Sequence, residues 1–384
     1  MINRFAKKKV IEMAQKFPVL VFTGPRQSGK TTLCKIAFPT YRYVSLENPD
    51  MLYFATSDPK GFLKVYDKYV IIDEAQNAPQ IFSYIQQLVD DANVTGQYIL
   101  SGSQNFLLLE KITQSLAGRV YMMELLPLNH KEIASVKEQT VYEEMVVGSY
   151  PRVYDKGINP QDFYGQYIQT YIERDVRSII NVQDLTLFRK FMMLLAHHAG
   201  QLFNANSISK NLGIDVKTVQ RWLSILEASY IVFTLPPWYK NFSKRIVKTP
   251  KLYFYDIGVV AYLLGIETSE ELILSNYKGA LFENYGLLEL LKSHKNLGIK
   301  HNYYFWRDSN GHEIDLIIEQ GQQVKCVEFK ASETVKSEFI KALHYLDGLE
   351  KKLILSHYLY NTQDTTQKRS NETIVSWKDV TAIL

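Results

Sequence analysis

The stretch that decides how this chain is read is VLVFTGPRQSGKTT, Val19–Thr32. Its first five residues are apolar or β-branched, the pattern of a strand buried on both faces of a parallel sheet. The strand runs into Gly24, and Gly24–Thr31 (GPRQSGKT) fits G-x-x-x-x-G-K-[ST], with a helix expected from about Lys30. Each residue type has a reason to be there. Glycines let a short loop turn its backbone N–H groups onto phosphate oxygens at a helix N-terminus. The expected cradle is Gly24, Pro25, Arg26, Gln27, Ser28, Gly29, Lys30, Thr31 and Thr32, with Lys30 as a point charge on the β and γ phosphates and the Thr31 hydroxyl on Mg²⁺.

Working outward, Thr40–Asp50 (TYRYVSLENPD), Lys68–Gln76 (KYVIIDEAQ) and Gly96–Asn105 (GQYILSGSQN) repeat an apolar run ending in a polar cluster, and Pro79–Ala92 between them reads as a helix. Alternating strands and helices predict a doubly wound α/β sheet whose ligand lies at the carboxyl ends of the strands. IIDEAQ delivers Asp73 to hold Mg²⁺ and Glu74 to polarise the attacking water. Ser101, Ser103 and Gln104 end the next strand, either as sensors of the γ-phosphate or as an ordinary polar turn. Arg119 is the candidate for the positive charge that phosphoryl transfer demands, in competition with a surface ion pair and with Arg152, Arg174 and Arg177. Pro127 marks an expected boundary after Arg119–Leu128.

From about residue 129 to 200 the apolar spacing of three and four predicts helices. Asn206–Phe233 reads as a helix-turn-helix, with the turn at Gly213, Asp215 as cap and Val219, Leu223 and Leu226 as the buried stripe. That leaves Lys217, Thr218, Gln220 and Arg221 on the exposed face, as a DNA-reading helix would have them. A wing is expected over Pro236–Tyr255, with Lys240, Lys244, Arg245, Lys248 and Lys251 interleaved with Trp238, Tyr239 and Phe242. Such a surface suits nucleic acid, with packing on the ATPase core or on a partner protein as the alternative.

The last third begins with a helix at Gly279–Lys292 and continues with strands His301–Asp308, His312–Glu319 and Gln323–Ala331. Strict alternation puts Asp315 with Ile317 on one face and Ile314, Leu316 and Ile318 on the other. It also sets Glu328 and Lys330 together, opposite Val327 and Phe329. Asp315, Glu328 and Glu283 can then surround a hard cation, with Lys330 orienting or deprotonating water, the chemistry of metal-assisted phosphodiester hydrolysis. The alternative is a nuclease-like scaffold with a binding role.

These motifs, in order GPRQSGKT, IIDEAQ, SGSQNFLLLEKITQSLAGRV, GSYPRVY, YIERDV, KLYFYDIG, LFEN, HEIDLII and VEFKAS, resemble the prokaryotic AAA-type P-loop ATPases fused to a C-terminal domain of unknown function. Gln104 departs from the small hydroxyl residues more usual in SGSQN. The resemblance implies ATP and Mg²⁺ as cofactors, and a C-terminal region with a winged helix and a restriction-endonuclease-like PD-(D/E)xK fold. The expected organisation is a P-loop NTPase parallel-sheet domain over 1–128, a helical and winged-helix region over 129–265 and an α/β nuclease-like domain over 266–384. DNA is the expected partner of the later parts, beside a protein partner or a second copy of the chain.

Composition narrows the rest. At 384 residues, 46% hydrophobic and 22% charged, the chain has ample apolar material for large cores and is not a disordered sequence. A formal charge of +4 is too mild to prove a basic surface. Cys34 and Cys326 show neither CxxC nor His-rich spacing, so no disulfide framework or zinc site is indicated. MINRFAKKKV lacks the apolar stretch of a signal peptide, and no apolar run approaches the ~18 residues that span a bilayer. A soluble cytoplasmic protein without membrane contact is expected.

Overall fold

The computed structural model describes residues 2–102, 115–172, 185–238, 249–300, 302–348 and 353–384. The chain folds as two compact units, Met1–Leu128 with Lys295–Gly298, and Asn129–His294 with Ile299–Leu384. Among the described residues no helix is long and apolar enough to cross a membrane.

The first unit is built on a parallel sheet. Its elements are α1 (Ala6–Ala14), β1 (Val19–Thr23), α2 (Lys30–Ala37), β2 (Arg42–Ser45), α3 (Pro49–Ser57), α4 (Pro59–Val65), β3 (Val70–Asp73), α5 (Ile81–Ala92), β4 (Tyr98–Ser101) and β5 (Val120–Glu124). The strands lie in the order β2-β3-β4-β1-β5. Alternation along β1 explains why every residue of it is buried: Val19 and Val21 join one apolar cluster, Leu20 and Phe22 the other, so both faces are covered. The helices start where sequence chemistry starts them. Asn48 and Asp58 cap α3 and α4 with their side chains, and each is followed by proline at the first helical position.

Register brings the ends of the strands together. Ser45 pairs with Asp73, Asp73 with Ser101 and Ser101 with Phe22, so a row of polar side chains lies two residues below Gly24. This is the carboxyl edge, where an open α/β sheet takes its ligand.

In the second unit short helices precede α6 (Leu185–His197). A helix pair follows, α7 (Ala205–Leu212) and α8 (Val216–Ala228), and then the antiparallel strands β6 (Val232–Leu235) and β7 (Lys251–Phe254). Gly213 ends α7 at φ 69°, a left-handed position that suits glycine, and Asp215 caps α8 by accepting the Thr218 N–H at 2.8 Å. Val219, Leu223 and Leu226 are buried, while Lys217, Gln220 and Arg221 are exposed.

The long helix α9 (Lys278–Leu297) leads into a second sheet, ordered β12-β13-β11-β10-β9-β8, from β8 (Asn302–Arg307), β9 (Glu313–Gln320), β10 (Gln323–Lys330), β11 (Ile354–Asn361), β12 (Gln367–Lys368) and β13 (Thr373–Ser376). The crossover between β10 and β11 carries α10 (Ser337–His344). One apolar cluster runs from Val141 through Leu226 and Leu281 to Phe329 and Ile383. The helical region expected over 129–265 and the α/β region expected over 266–384 therefore share a core.

Three expectations for this unit are corrected. Lys251 is not on a basic surface: it is 3% exposed, the first residue of β7, and ion-paired. Trp238 is buried beside Trp306, because the Pro236–Trp238 segment runs along β8, with Trp238 N–H donating to Phe305 O at 2.7 Å. Ile314 packs with Ile317 instead of Leu316 and Ile318, because β9 is bulged: Tyr304 faces Ile317 but Trp306 faces Ile314, so three residues of β9 span two of β8. Tyr239, Lys240, Phe242, Lys244, Arg245 and Lys248 lie outside the described residues, as do Ser103, Gln104, Arg174 and Arg177.

Candidate functional site

At the edge of the first sheet, β1 ends in a loop that only glycine permits at its first position. Gly24 has φ 134°, and a Cβ there would stand 2.3 Å from Leu125 O. Gly29, with φ 92°, turns the chain into α2. Lys30 is buried at the start of that helix, its Nζ donating to Gly24 O at 2.9 Å and Pro25 O at 2.7 Å. Burial pulls its ammonium down to about 8, against the attraction of Glu74 and Asp73. A phosphate group placed in the loop would reverse that shift, since an opposite charge at close range favours the protonated form. Pro25 and Ser28 are buried with it, Arg26, Gln27 and Thr31 are half-buried, and Thr32 is exposed.

The Thr31 hydroxyl donates to Asp73 Oδ2 at 2.9 Å, so the end of β3 reaches the first turn of α2. Two more hydroxyls fix the same carboxylate: Ser101 Oγ on Oδ1 at 2.5 Å and Tyr43 OH on Oδ2 at 3.0 Å. Burial first, then the charge of Asp73, pushes the Tyr43 phenol up to about 12, which keeps it a donor. Thr31 and Asp73 side by side offer the hard oxygen pair that suits Mg²⁺. Glu74 follows in a left-handed conformation, φ 52°, and its carboxylate accepts a hydrogen bond from Gln76 Nε2.

Arg119 is not brought to this edge. It precedes β5 at the amino end of the sheet, about 16 Å of strand away at ~3.3 Å per residue, and forms a two-pronged ion pair with Asp90. Its expected catalytic role therefore has no geometric support within its own unit, because the strand that carries it runs parallel to β1. Arg4 is the residue that the sequence reading missed. It is 7% exposed and donates to Ser28 O and Leu126 O, each at 2.6 Å, tying the loop to the chain after β5. No motif flags it. Only the fold brings the chain before α1 beside the loop.

In the second unit the C-terminal residues gather as an ion-pair cluster. Where the β9–β10 ladder reaches Val327 opposite Leu316, the next residue of β9 takes over with its side chain: Asp315 Oδ2 accepts the Phe329 N–H at 3.0 Å. Lys330 Nζ lies 2.5 Å from Glu328 Oε1 and 3.7 Å from Asp315 Oδ2. Lys251 Nζ lies 2.8 Å from Glu283 Oε1 and 3.8 Å from Asp315 Oδ1, and it also pairs with Glu313. Tyr253 OH donates to Glu283 Oε1 at 2.5 Å. The motifs KLYFYDIG, LFEN, HEIDLII and VEFKAS thus meet around Asp315, and Asn284 exchanges two 2.9 Å hydrogen bonds with the backbone of Phe254.

Burial and then the nearby Asp315 push the Glu283 carboxyl up to about 7 and that of Glu328 to about 8, against the pull of Lys251 and Lys330. Burial works against the ammonium of Lys330, but Asp315 and Glu328 outweigh it and raise its pKa. Glu328 Oε2 is buried with no hydrogen-bond partner among the described residues. An unpaired oxygen beside a second carboxylate fits a divalent cation. The lysine ammoniums, however, already stand between the carboxylates, and the oxygens of Glu283, Asp315 and Glu328 do not form a group within ligand distance of one another.

The phosphate loop, the Thr31–Asp73 pair and the parallel sheet beneath them define a P-loop ATPase of the AAA type. Residues 16–134 match an AAA domain, 138–270 a domain of unknown function (DUF8612) and 278–380 another (DUF4143). The chain belongs to the same family as the uncharacterized protein Rv2008c of Mycobacterium tuberculosis, with which it is 30% identical over 338 residues, 86% of this chain and 74% of the relative. It is similar also to the uncharacterized protein MJ1544 of Methanocaldococcus jannaschii, 25% identical over 89% of this chain and 80% of that one. Among solved structures, a Walker-type ATPase of Pyrococcus abyssi aligns with TM-score 0.45 and 14% identity over 67% of this chain and 94% of its own.

Proposed function

We propose that the first unit binds ATP with Mg²⁺ and hydrolyses it, and that its nucleotide state controls a C-terminal winged-helix and nuclease-like module that works on DNA. The observation that carries the nucleotide half is the Thr31–Asp73 hydrogen bond beside a buried Lys30. Lys30 exchanges its loop carbonyls for phosphate oxygens, and the loop N–H groups hold the rest of the phosphate chain. Thr31 and Asp73 would hold Mg²⁺, which would supply charge stabilisation to the phosphates. Asp73, gripped by Ser101 and Tyr43, holds its carboxylate toward Thr31, and Glu74 takes the proton of the attacking water. Arg119 is left out of the reaction.

Support for DNA comes from α8, which leaves Lys217, Gln220 and Arg221 exposed beside the β6–β7 hairpin, the arrangement of a recognition helix and wing. A second reading, that the C-terminal part is a scaffold without nuclease chemistry, is favoured by Lys251, which occupies the space among Glu283, Glu313 and Asp315 with its own positive charge.

The test is ATP binding and turnover of the full chain with and without duplex DNA. Lys30→Ala is expected to abolish binding, and Glu74→Gln to bind ATP without turning it over. DNA is expected to change the wild-type rate. Wild-type turnover by Glu74→Gln removes that residue from its role, and a rate indifferent to DNA in a protein that retains none removes DNA from the reading.

A further inference from the structure

The second unit holds a group of metal-ligating side chains away from the acidic cluster. His344 ends α10, Asp347 follows in the turn Tyr345–Gly348, and His357 lies on β11. Among the described residues these three are the set of His, Cys, Asp or Glu whose ligand atoms all lie within 4.8 Å of one another. Glu372 immediately precedes β13, whose Thr373 pairs with Tyr358, so the register sets Glu372 beside His357. The distances are short. Asp347 Oδ2 is 2.7 Å from His344 Nδ1, Asp347 Oδ1 is 2.9 Å from His357 Nε2, and Glu372 Oε2 is 3.6 Å from His344 Nε2. The two imidazole centroids are 4.1 Å apart.

The decisive atom is His357 Nε2. The residue is 8% exposed, and this nitrogen is buried with no hydrogen-bond partner, although a carboxylate oxygen stands 2.9 Å from it. An imidazole donating through Nδ1 keeps a lone pair on Nε2. Here that lone pair faces the lone pairs of Asp347. A proton or a metal ion between them removes the repulsion.

We infer that His344, Asp347 and His357 form a three-residue site for a borderline-soft divalent cation of the Zn²⁺ class, with the remaining position left to water. Two imidazoles and a carboxylate make a donor set that suits zinc or cobalt over Mg²⁺ or Ca²⁺, which prefer oxygen alone. With bonds of about 2.0–2.2 Å, tetrahedral ligands stand about 3.3 Å apart, so the 2.7 and 2.9 Å contacts at Asp347 open slightly around a bound ion. Cys326, opposite His357 in the β10–β11 register, stays outside the set, its thiol pushed up to about 12 by burial and then by Asp347. A bound ion ties the end of α10 and its turn to β11, closing a crossover that carries no disulfide.

The experiment uses the full chain stripped of metal with a chelator, then titrated with Co²⁺ and Zn²⁺. Wild type is expected to show the visible spectrum of tetrahedral Co²⁺ and to retain about one equivalent of Zn²⁺ through gel filtration. His357→Ala and the near-isosteric Asp347→Asn are expected to lower affinity on the order of 100-fold or more, at least the cost of losing an outer partner of a metal ligand. Cys326→Ser is expected to leave it unchanged. Asp347 is exposed, so its variant is expected to keep the fold, checked by circular dichroism. The proposal is overturned if wild type retains no Zn²⁺, or if His344→Ala/His357→Ala retains as much as wild type.

Discussion

Arg4 offers the sharpest test of how the phosphate loop is held. Its guanidinium spans two carbonyls, Ser28 O in the loop and Leu126 O beyond β5, at 2.6 Å each, and it is nearly inaccessible to water. Arg4→Met keeps much of the aliphatic bulk and removes both bonds. Hydrogen bonds to a charged group contribute about 1.5–3 kcal/mol each, so the pair is worth roughly 3–6 kcal/mol, and water reaching the freed carbonyls returns part of it. If about half of the lower figure falls on loop order, ATP affinity drops about tenfold, since ~1.4 kcal/mol is a factor of ten. The remainder appears as a lower melting temperature, roughly 2–4 °C for each kcal/mol in a protein of 150–250 residues. Calorimetric titration with a non-hydrolysable ATP analogue separates the two effects, because a merely structural arginine lowers the melting temperature and leaves Kd alone. An unaltered Kd in a destabilised variant would refute the assigned role in the loop. Arg4→Lys is expected to recover little, since one ammonium cannot span both carbonyls as a guanidinium does.

The acidic cluster carries a pH signature. Glu283 and Glu328, raised to about 7 and about 8, hold protons in the folded state that the unfolded chain has released, so their contribution to stability is complete below the ordinary carboxylate range and is lost as pH rises toward 8. Thermal unfolding across pH 5–8 should show this fall, and Glu328→Gln should flatten it; an identical slope in the variant would mean that Glu328 is not the group involved. For cleavage, labelled single-stranded and duplex DNA with Mg²⁺ or Mn²⁺ and ATP should be cut by wild type and spared by Asp315→Ala and Lys330→Ala, whereas activity surviving both changes points to a contaminant. In the wing, replacing Lys244, Arg245 and Lys248 with neutral residues is expected to weaken duplex binding and to reduce the salt slope by ~0.9 for each lost phosphate contact. No change in slope would redirect the wing to a protein partner.

Much of the first unit was legible because its signals are local. A buried strand, a glycine turn and a helix start occupy consecutive residues, and their backbone geometry follows from residue type, as Gly24 shows against Leu125. Asp73 was legible for the same reason, being the last residue of an apolar strand. Arg119 was not, because a sequence does not say at which end of a sheet an arginine will lie. Its placement before β5 and its pairing with Asp90 follow from the parallel register.

The second unit divides along the same line. By itself the sequence determined the helix pair around Gly213 and Asp215, the strands of the last third and the nearness of Glu328 to Lys330, since caps, alternation and i, i+2 spacing act within a few residues. Tertiary structure decided the rest. Lys251 reads as one more basic residue of a wing, yet its neighbours Glu283, Glu313 and Asp315 come from a helix and a strand far along the chain, and their charge holds an otherwise costly buried ammonium in place. Likewise His344, Asp347 and His357 show no metal spacing in the sequence, because a helix end, a turn and a strand supply them separately. Periodicity says which face of an element is apolar, but which polar atoms converge on one point depends on how the elements pack.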